Sequence, residues 1–112
     1  MKQKEIRIGA MDYTIEMVKD LRDGNHGLNG WIRYNDNKVM LDDEMGPQAE
    51  YITLWHEILH GLLTQAGMAK QDERIVEVLA HGIVMVMRDN PWLMNHRTAE
   101  AVTTSEEASD AL

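Results

Sequence analysis

The stretch from His56 to His60 reads His-Glu-Ile-Leu-His, and it constrains the fold more than any other part of the chain. Two histidines four residues apart lie one turn apart on the same side of an α-helix, so their imidazoles can converge on one metal ion. The glutamate after the first histidine then sits beside that metal, where it can take a proton from a bound water. The motif therefore requires a helix, a third ligand and an open coordination position.

The residues around this motif have the period of a helix from residue 48 to about residue 65, and Gly67 is expected to end it. His56 and His60 fall at one border of its apolar side, with Glu57 just beyond them. Ligands at such a border are half-buried and oriented, yet they can still meet solvent. The apolar side itself is predicted to form one buried stripe of Ile52, Trp55, Leu59, Leu62, Leu63 and Ala66.

A second helix is predicted from Asp72, as its N-cap, to about Asp89, and Asn90-Pro91 ends it. Apolar side chains lie almost all round this helix, so we expect neighbours to bury it on several sides. We also expect Trp92 and Leu93 to fold back onto the core.

Glu77 is a carboxylate in the middle of this apolar helix, where a charge is costly unless it is paired or bound to metal. A catalytic zinc commonly takes three protein ligands and a water, so Glu77 is the expected third ligand. Pairing with Arg74 or Lys70 is the alternative. His81 follows at i+4, where it could donate a hydrogen bond to a developing oxyanion or to a ligand carboxylate, or be a structural histidine.

The segment before the motif has the pattern of strands and predicts an α+β fold. The pattern of residues 4–21 predicts one or two strands, and a helix over 15–21 is the alternative. A glycine-rich turn follows. Residues 31–34 and 38–41 flank three Asn and Asp residues and predict a β-hairpin. We therefore expect an antiparallel or mixed sheet of about three strands, in which strand 38–42 offers an edge to an extended peptide.

Several other polar residues are weaker candidates for a role in the site. His26 lies in the glycine-rich turn and is expected to be solvated rather than a ligand. The acidic run 42–44 is more typical of a solvated turn than of a calcium site, since no Asp-x-Asp-x-Asp-Gly loop is present. Tyr34 and Tyr51 are expected first to pack, and are weak candidates for an oxyanion donor.

Composition limits the partners and the compartment. The net charge of −8 makes nucleic-acid binding unlikely, and the absence of cysteine excludes disulfides, thiolate zinc sites and cysteine catalysis. We expect one domain over residues 1–97 and a disordered acidic tail over 98–112, with a tail lying across the cleft as the alternative. Without a signal-peptide pattern or an apolar run of membrane-spanning length, an intracellular, cytoplasmic protein that binds no membrane is expected. The oligomeric state stays open.

Three stretches carry a resemblance to a known family: residues 53–61 around the motif, 77–82 from Glu77 to Gly82, and 89–91. Together they resemble small phage-associated zinc metallopeptidase-like proteins, akin to the ImmA/IrrE-type peptidases and to minimal gluzincins. The resemblance spans about residues 28–93. It implies a zincin-like α+β fold, with His56, His60 and Glu77 on zinc and Glu57 as the base.

Two functional hypotheses follow from these residues. The first is a zinc-dependent peptidase that acts on a peptide or protein substrate, in which Glu57 is the general base and His81 assists catalysis. The second is a zinc-binding interaction module without activity, which a fourth protein ligand from His81, His26 or Asp42 would favour. A third hypothesis, an acidic mimic of nucleic acid, leaves the motif unexplained.

Overall fold

The computed structural model of the protein describes residues 4–96, and the acidic tail predicted over 98–112 lies outside them. This part of the chain forms a small α+β domain with a mixed sheet and two long helices, as the fold class predicted. The elements in chain order are β1 (Lys4–Ile8), β2 (Met11–Val18), β3 (Arg22–Asp23), β4 (His26–Gly27), β5 (Gly30–Arg33), β6 (Lys38–Asp42), α1 (Pro47–Gln65), α2 (Glu73–Asp89) and a 3-10 turn, Pro91–Asn95.

The main sheet has four strands rather than about three, in the order β1-β2-β6-β5, and β3 pairs with β4 in a separate two-stranded ribbon. Strands β2 and β6 run parallel, and the β1–β2 and β5–β6 pairs are antiparallel. The helical alternative for residues 15–21 is wrong, because β2 continues to Val18. The predicted substrate edge at residues 38–42 is also wrong, because β6 pairs with β2 on one side and β5 on the other. The edge strands of this sheet are β1 and β5.

The core lies between one face of this sheet and α1. Its buried members come from the four strands, and Leu54 and Ile58 of α1 pack against them. Gly61 lets the helix approach closely, because a Cβ there would lie 3.1 Å from side-chain carbons of both Ile8 and Ile32. The helix that carries the motif is therefore fixed directly on the sheet.

Helix α1 has the predicted extent, but its most buried residues are Glu57 and Gly61 rather than the apolar stripe. Leu62, a predicted member of that stripe, is 42% exposed. The reason is that α1 lies between two neighbours, with the sheet on one side and α2 on the other. Its contacts are spread over two faces, and a single stripe does not describe them.

Helix α2 begins where predicted, and the Asp72 carboxylate accepts hydrogen bonds from the backbone N–H groups of Arg74 and Ile75. The expectation that neighbours bury this helix on several sides is wrong. Only Val76, Ala80 and Val84 are buried along it, since α2 packs on α1 while the sheet lies on the far side of α1.

The segment after α2 also differs from the prediction. Trp92 is 56% exposed and Leu93 is 38% exposed, so neither folds back onto the core. Both belong to the 3-10 turn, whose contacts are with α2 rather than with the sheet. Within residues 4–96, no helix combines the length and the apolar character that crossing a membrane requires.

Candidate metal centre

The two histidines of the motif converge as their helical spacing predicts. The Nε2 atoms of His56 and His60 lie 3.2 Å apart, on the side of α1 that faces α2. The Glu73 carboxylate on α2 closes the group, with Oε1 2.8 Å from His60 Nε2 and Oε2 3.0 Å from His56 Nε2. The side chains of His56 and His60 are 14% and 12% exposed, whereas Glu73 is 71% exposed and reaches them from the solvent side.

The separation of the two imidazole nitrogens matches a small tetrahedral cation. Zinc bonds of 2.0–2.1 Å place neighbouring ligand atoms about 3.3 Å apart, close to the 3.2 Å between the two Nε2 atoms, whereas the two Glu73 distances involve different oxygens of its carboxylate. Two imidazole nitrogens and one carboxylate oxygen are also a donor set that catalytic zinc takes. Among residues 4–96, this is the group of three whose ligand atoms all lie within 4.8 Å of one another. His56, His60 and Glu73 could therefore hold a metal ion.

Glu77, the third ligand predicted from the sequence, contacts the other nitrogen of His56. Its Oε2 atom lies 2.6 Å from His56 Nδ1. The two nitrogens of an imidazole point away from each other, so a carboxylate on Nδ1 is on the wrong side of the ring for a metal shared with His60 Nε2. The structure thus brings Glu77 beside the motif, but places Glu73 on the ligand side.

Gln71 contacts the Nδ1 atom of His60, as Glu77 contacts the Nδ1 atom of His56. Its Oε1 atom lies 2.6 Å from His60 Nδ1, and its amide nitrogen donates to the hydroxyl of Thr64 and the carbonyl of Met68. An oxygen on each Nδ1 favours a proton there and leaves each Nε2 lone pair free for a metal. Glu77 and Gln71 therefore orient the two imidazoles toward one point.

Sequence reasoning missed Glu73 and Gln71. The available signal was spacing, because Glu73, Glu77 and His81 follow one another at i, i+4 and i+8 along one side of α2. Glu73 stands in the first turn, where a glutamate is expected for helix-dipole reasons alone. Nothing local distinguished the two carboxylates as ligands.

The remaining candidates lie outside the three-residue group. His81 Nδ1 lies 3.0 Å from the backbone oxygen of Glu77 and 3.3 Å from its carboxylate. Asp42 accepts hydrogen bonds from the backbone N–H groups of Leu21 and Glu44, which is a structural role. His26 is exposed in β4. Within the described chain, none of the three completes a closed four-ligand site.

Among residues 4–96, Glu57 is the buried charged residue, with 7% of its surface exposed. Burial raises the pKa of its carboxyl above the ordinary value, while the neighbouring His56 and His60 act in the opposite direction. Gly30 makes room for the carboxylate, because a Cβ at this position would lie 3.1 Å from Glu57 Oε2 and 2.6 Å from a methyl of Thr53. The motif glutamate is therefore held by close packing beside the two histidines.

These side chains line a cleft of about 560 Å³ between α1, α2 and the edge strand β5. Strand β5 contributes Gly30, Trp31 and Ile32 to its wall, and Tyr34 follows. The hydroxyl of Tyr34 accepts a hydrogen bond from Thr64, and burial raises the pKa of this phenol. Tyr51 instead lines a separate, apolar groove between α1 and α2.

Comparison of the chain with protein-family models, with curated proteins and with solved structures found no match.

Proposed function

We propose that this chain is a zinc-dependent peptidase of minimal size. The proposal is carried by one observation: three ligand atoms converge at the floor of a cleft, next to a buried glutamate and beside an open strand edge. The motif gives the two imidazoles and the base, and α2 supplies a carboxylate to the same point. The resemblance to ImmA/IrrE-type peptidases supports a zincin-like assignment for His56, Glu57 and His60, but it implies Glu77 as the third ligand where this proposal has Glu73.

In this proposal His56, His60 and Glu73 hold the zinc, and Glu77 and Gln71 orient the imidazoles. When bound, the cation supplies an activated water and polarises the scissile carbonyl. Glu57 takes the proton of that water and delivers it to the leaving amine. Burial raises the pKa of the Glu57 carboxyl, which favours return of the proton after it has acted as base.

The substrate would be an extended peptide or protein segment. Strand β5 pairs with β6 on one side only within the sheet, so its other side faces the cleft without a strand neighbour; there the backbone of Ile32 hydrogen-bonds the Glu57 carboxylate. A peptide that adds there as a strand gains backbone hydrogen bonds, and its scissile bond passes the histidines. His81 lies one turn beyond Glu77, where it fixes that carboxylate rather than lining the cleft.

The test compares wild type with Glu57→Gln, which keeps the shape of the side chain but removes its basicity. We expect wild type with one zinc per chain to cleave casein, and Glu57→Gln to retain zinc and lose cleavage by at least a hundredfold. Glu44→Gln, an exposed change before α1, is the matched control and should retain activity. Zinc bound one to one with no cleavage by any variant would support the interaction module instead. A protein that binds no zinc even when it is purified with zinc supplied would overturn both the peptidase and the interaction module.

A further inference from the structure

A chain of three hydrogen bonds runs from the motif to the wall of the cleft. His60 Nδ1 lies 2.6 Å from Gln71 Oε1, and the amide nitrogen of Gln71 lies 2.9 Å from the hydroxyl of Thr64. The Thr64 hydroxyl in turn lies 3.0 Å from the hydroxyl of Tyr34. The chain therefore begins at a proposed metal ligand and ends at a phenol that lines the same cleft.

The direction of this chain is fixed at Gln71. Its amide nitrogen lies 2.7 Å from the backbone oxygen of Met68, which can only accept, so the amide group cannot be turned over. The amide oxygen then faces His60, whose Nδ1 atom must donate, and the amide nitrogen donates to Thr64. Because Thr64 donates to Tyr34, every donor in the chain points the same way. Among the hydrogen bonds of residues 4–96, none uses the hydrogen of the Tyr34 hydroxyl.

This hydroxyl lies along the cleft from the motif glutamate. Strand β5 and helix α1 run in the same direction there, and the pairs in contact are, in chain order, Gly30 with Thr53, Ile32 with Glu57, and Tyr34 with Thr64. Tyr34 therefore stands about two residues beyond the level of Glu57. The hydrogen-bond chain also leaves His60 at Nδ1, which points away from the Nε2 atoms, so the hydroxyl lies to one side of the proposed metal position.

Resting on the proposed function, we propose that the Tyr34 hydroxyl donates a hydrogen bond to a backbone carbonyl of the peptide in the cleft, about two residues from the scissile bond. Tyr34 is 42% exposed, so a substrate can reach its hydroxyl. Donors aligned in one direction polarise one another, which makes the last hydrogen of the chain a better donor than that of a free phenol. Since every peptide has a carbonyl at each residue, this contact would hold the substrate in register without selecting its sequence.

Steady-state kinetics with casein compares wild type with Tyr34→Phe, a change that removes one hydroxyl and keeps the ring. Loss of a hydrogen bond between neutral groups should raise KM by about 3–10-fold, and kcat should stay within about twofold. The zinc content should stay at one per chain. Tyr51→Phe is the matched control, because it makes the same change at an equally exposed position in the separate groove, and it should leave KM and kcat unchanged.

Thr64→Val tests whether the chain sets the direction of the hydroxyl, because it removes the donor to Tyr34 and keeps the shape of the side chain. We expect Thr64→Val to raise KM by part of the factor seen for Tyr34→Phe. In the double variant it should add nothing, since the hydroxyl that it directs is absent. Additive losses would show that Thr64 does not act through Tyr34.

Binding without cleavage separates this inference from the proposed function. Fluorescein-labelled casein should bind zinc-loaded Glu57→Gln about 3–10-fold more tightly than the same protein with Tyr34→Phe added, as measured by fluorescence anisotropy. If wild type does not cleave casein, the peptidase assignment fails, and this binding experiment still decides the role of Tyr34. Equal affinities, no casein binding by the zinc-loaded protein, a loss confined to kcat, or loss of zinc from Tyr34→Phe would each overturn the inference.

Discussion

Exchanging Glu73 and Glu77 separately for glutamine distinguishes a metal ligand from a residue that orients one. Glu73 lies 2.8 and 3.0 Å from the two Nε2 atoms, whereas Glu77 lies 2.6 Å from His56 Nδ1. Both changes remove one negative charge from the same helix, one turn apart. Long-range electrostatics therefore changes almost equally, and the difference between the variants reports coordination.

The expected magnitudes follow from the two roles. Zinc sites with four protein ligands bind with about 10–16 kcal/mol, or about 3 kcal/mol per ligand, so loss of the Glu73 carboxylate should weaken zinc binding at least a hundredfold. Loss of a carboxylate that orients a ligand histidine typically weakens metal binding by about 10–100-fold. We expect Glu77→Gln to lower the zinc affinity by about 10–100-fold. Glu44→Gln, an exposed control, should bind zinc with the affinity of wild type.

Competition with a chromophoric zinc chelator at pH 7 measures these affinities. Cobalt substitution adds a second readout, because its visible spectrum follows the number and type of ligands. We expect Glu73→Gln to change that spectrum and Glu77→Gln to preserve it. If Glu77→Gln changes the spectrum and loses more affinity, while Glu73→Gln behaves as wild type, Glu77 is the ligand and the role assigned to Glu73 is refuted.

Three further predictions test the packing around the site. Gly30→Ala should destabilise the protein by about 1–3 kcal/mol in urea denaturation, because its Cβ would meet Thr53 at 2.6 Å; Gly27→Ala, with nothing within 4 Å, should stay within about 0.5 kcal/mol. Asp72→Ala removes the N-cap of α2 and should cost about 1 kcal/mol in the same assay. Burial raises the pKa of Glu57, so in chelator-treated protein its contribution to stability is present below the unfolded pKa and lost as pH rises through the folded pKa. Glu57→Gln should therefore gain stability relative to wild type between pH 4 and pH 8, and an equal difference at both pH values would contradict the burial argument.

Local signals in the sequence predicted the elements well. The Asn-rich turn predicted the β5–β6 hairpin, Pro47 and Gly67 mark the ends of α1, and the Asp72 cap marks the start of α2. These signals act over a few residues, through fixed φ angles and hydrogen bonds to the local backbone. The convergence of His56 and His60 was predicted for the same reason, since it depends only on helical spacing.

The third ligand depends on long-range geometry, and sequence reasoning could not select it. Glu73 and Glu77 lie on one side of α2, and the crossing of α2 over α1 decides which one meets the Nε2 atoms. That crossing follows from how Val76, Ala80 and Val84 pack on α1, and from the seven-residue connection between the helices. The sequence of an apolar helix is the same whether the helix is covered by its own chain or by another molecule. The sequence therefore predicted burial for a face of α2 that is exposed.

The two helices have different neighbours, so a bound metal would have a second role between them. Helix α1 is fixed on the sheet by Gly61 and by Gln65, whose amide donates to the Ile8 carbonyl and whose oxygen accepts from the Ala10 N–H. Helix α2 is attached to α1 through Val76, Ala80 and Val84 and through the contacts of Glu73 and Glu77 with the motif histidines. Two of the proposed ligands stand on α1 and the third on α2, so a bound cation would join the helices. Because binding energy that requires both helices in place also stabilises their docking, binding of zinc at the proposed site would be coupled to the attachment of α2.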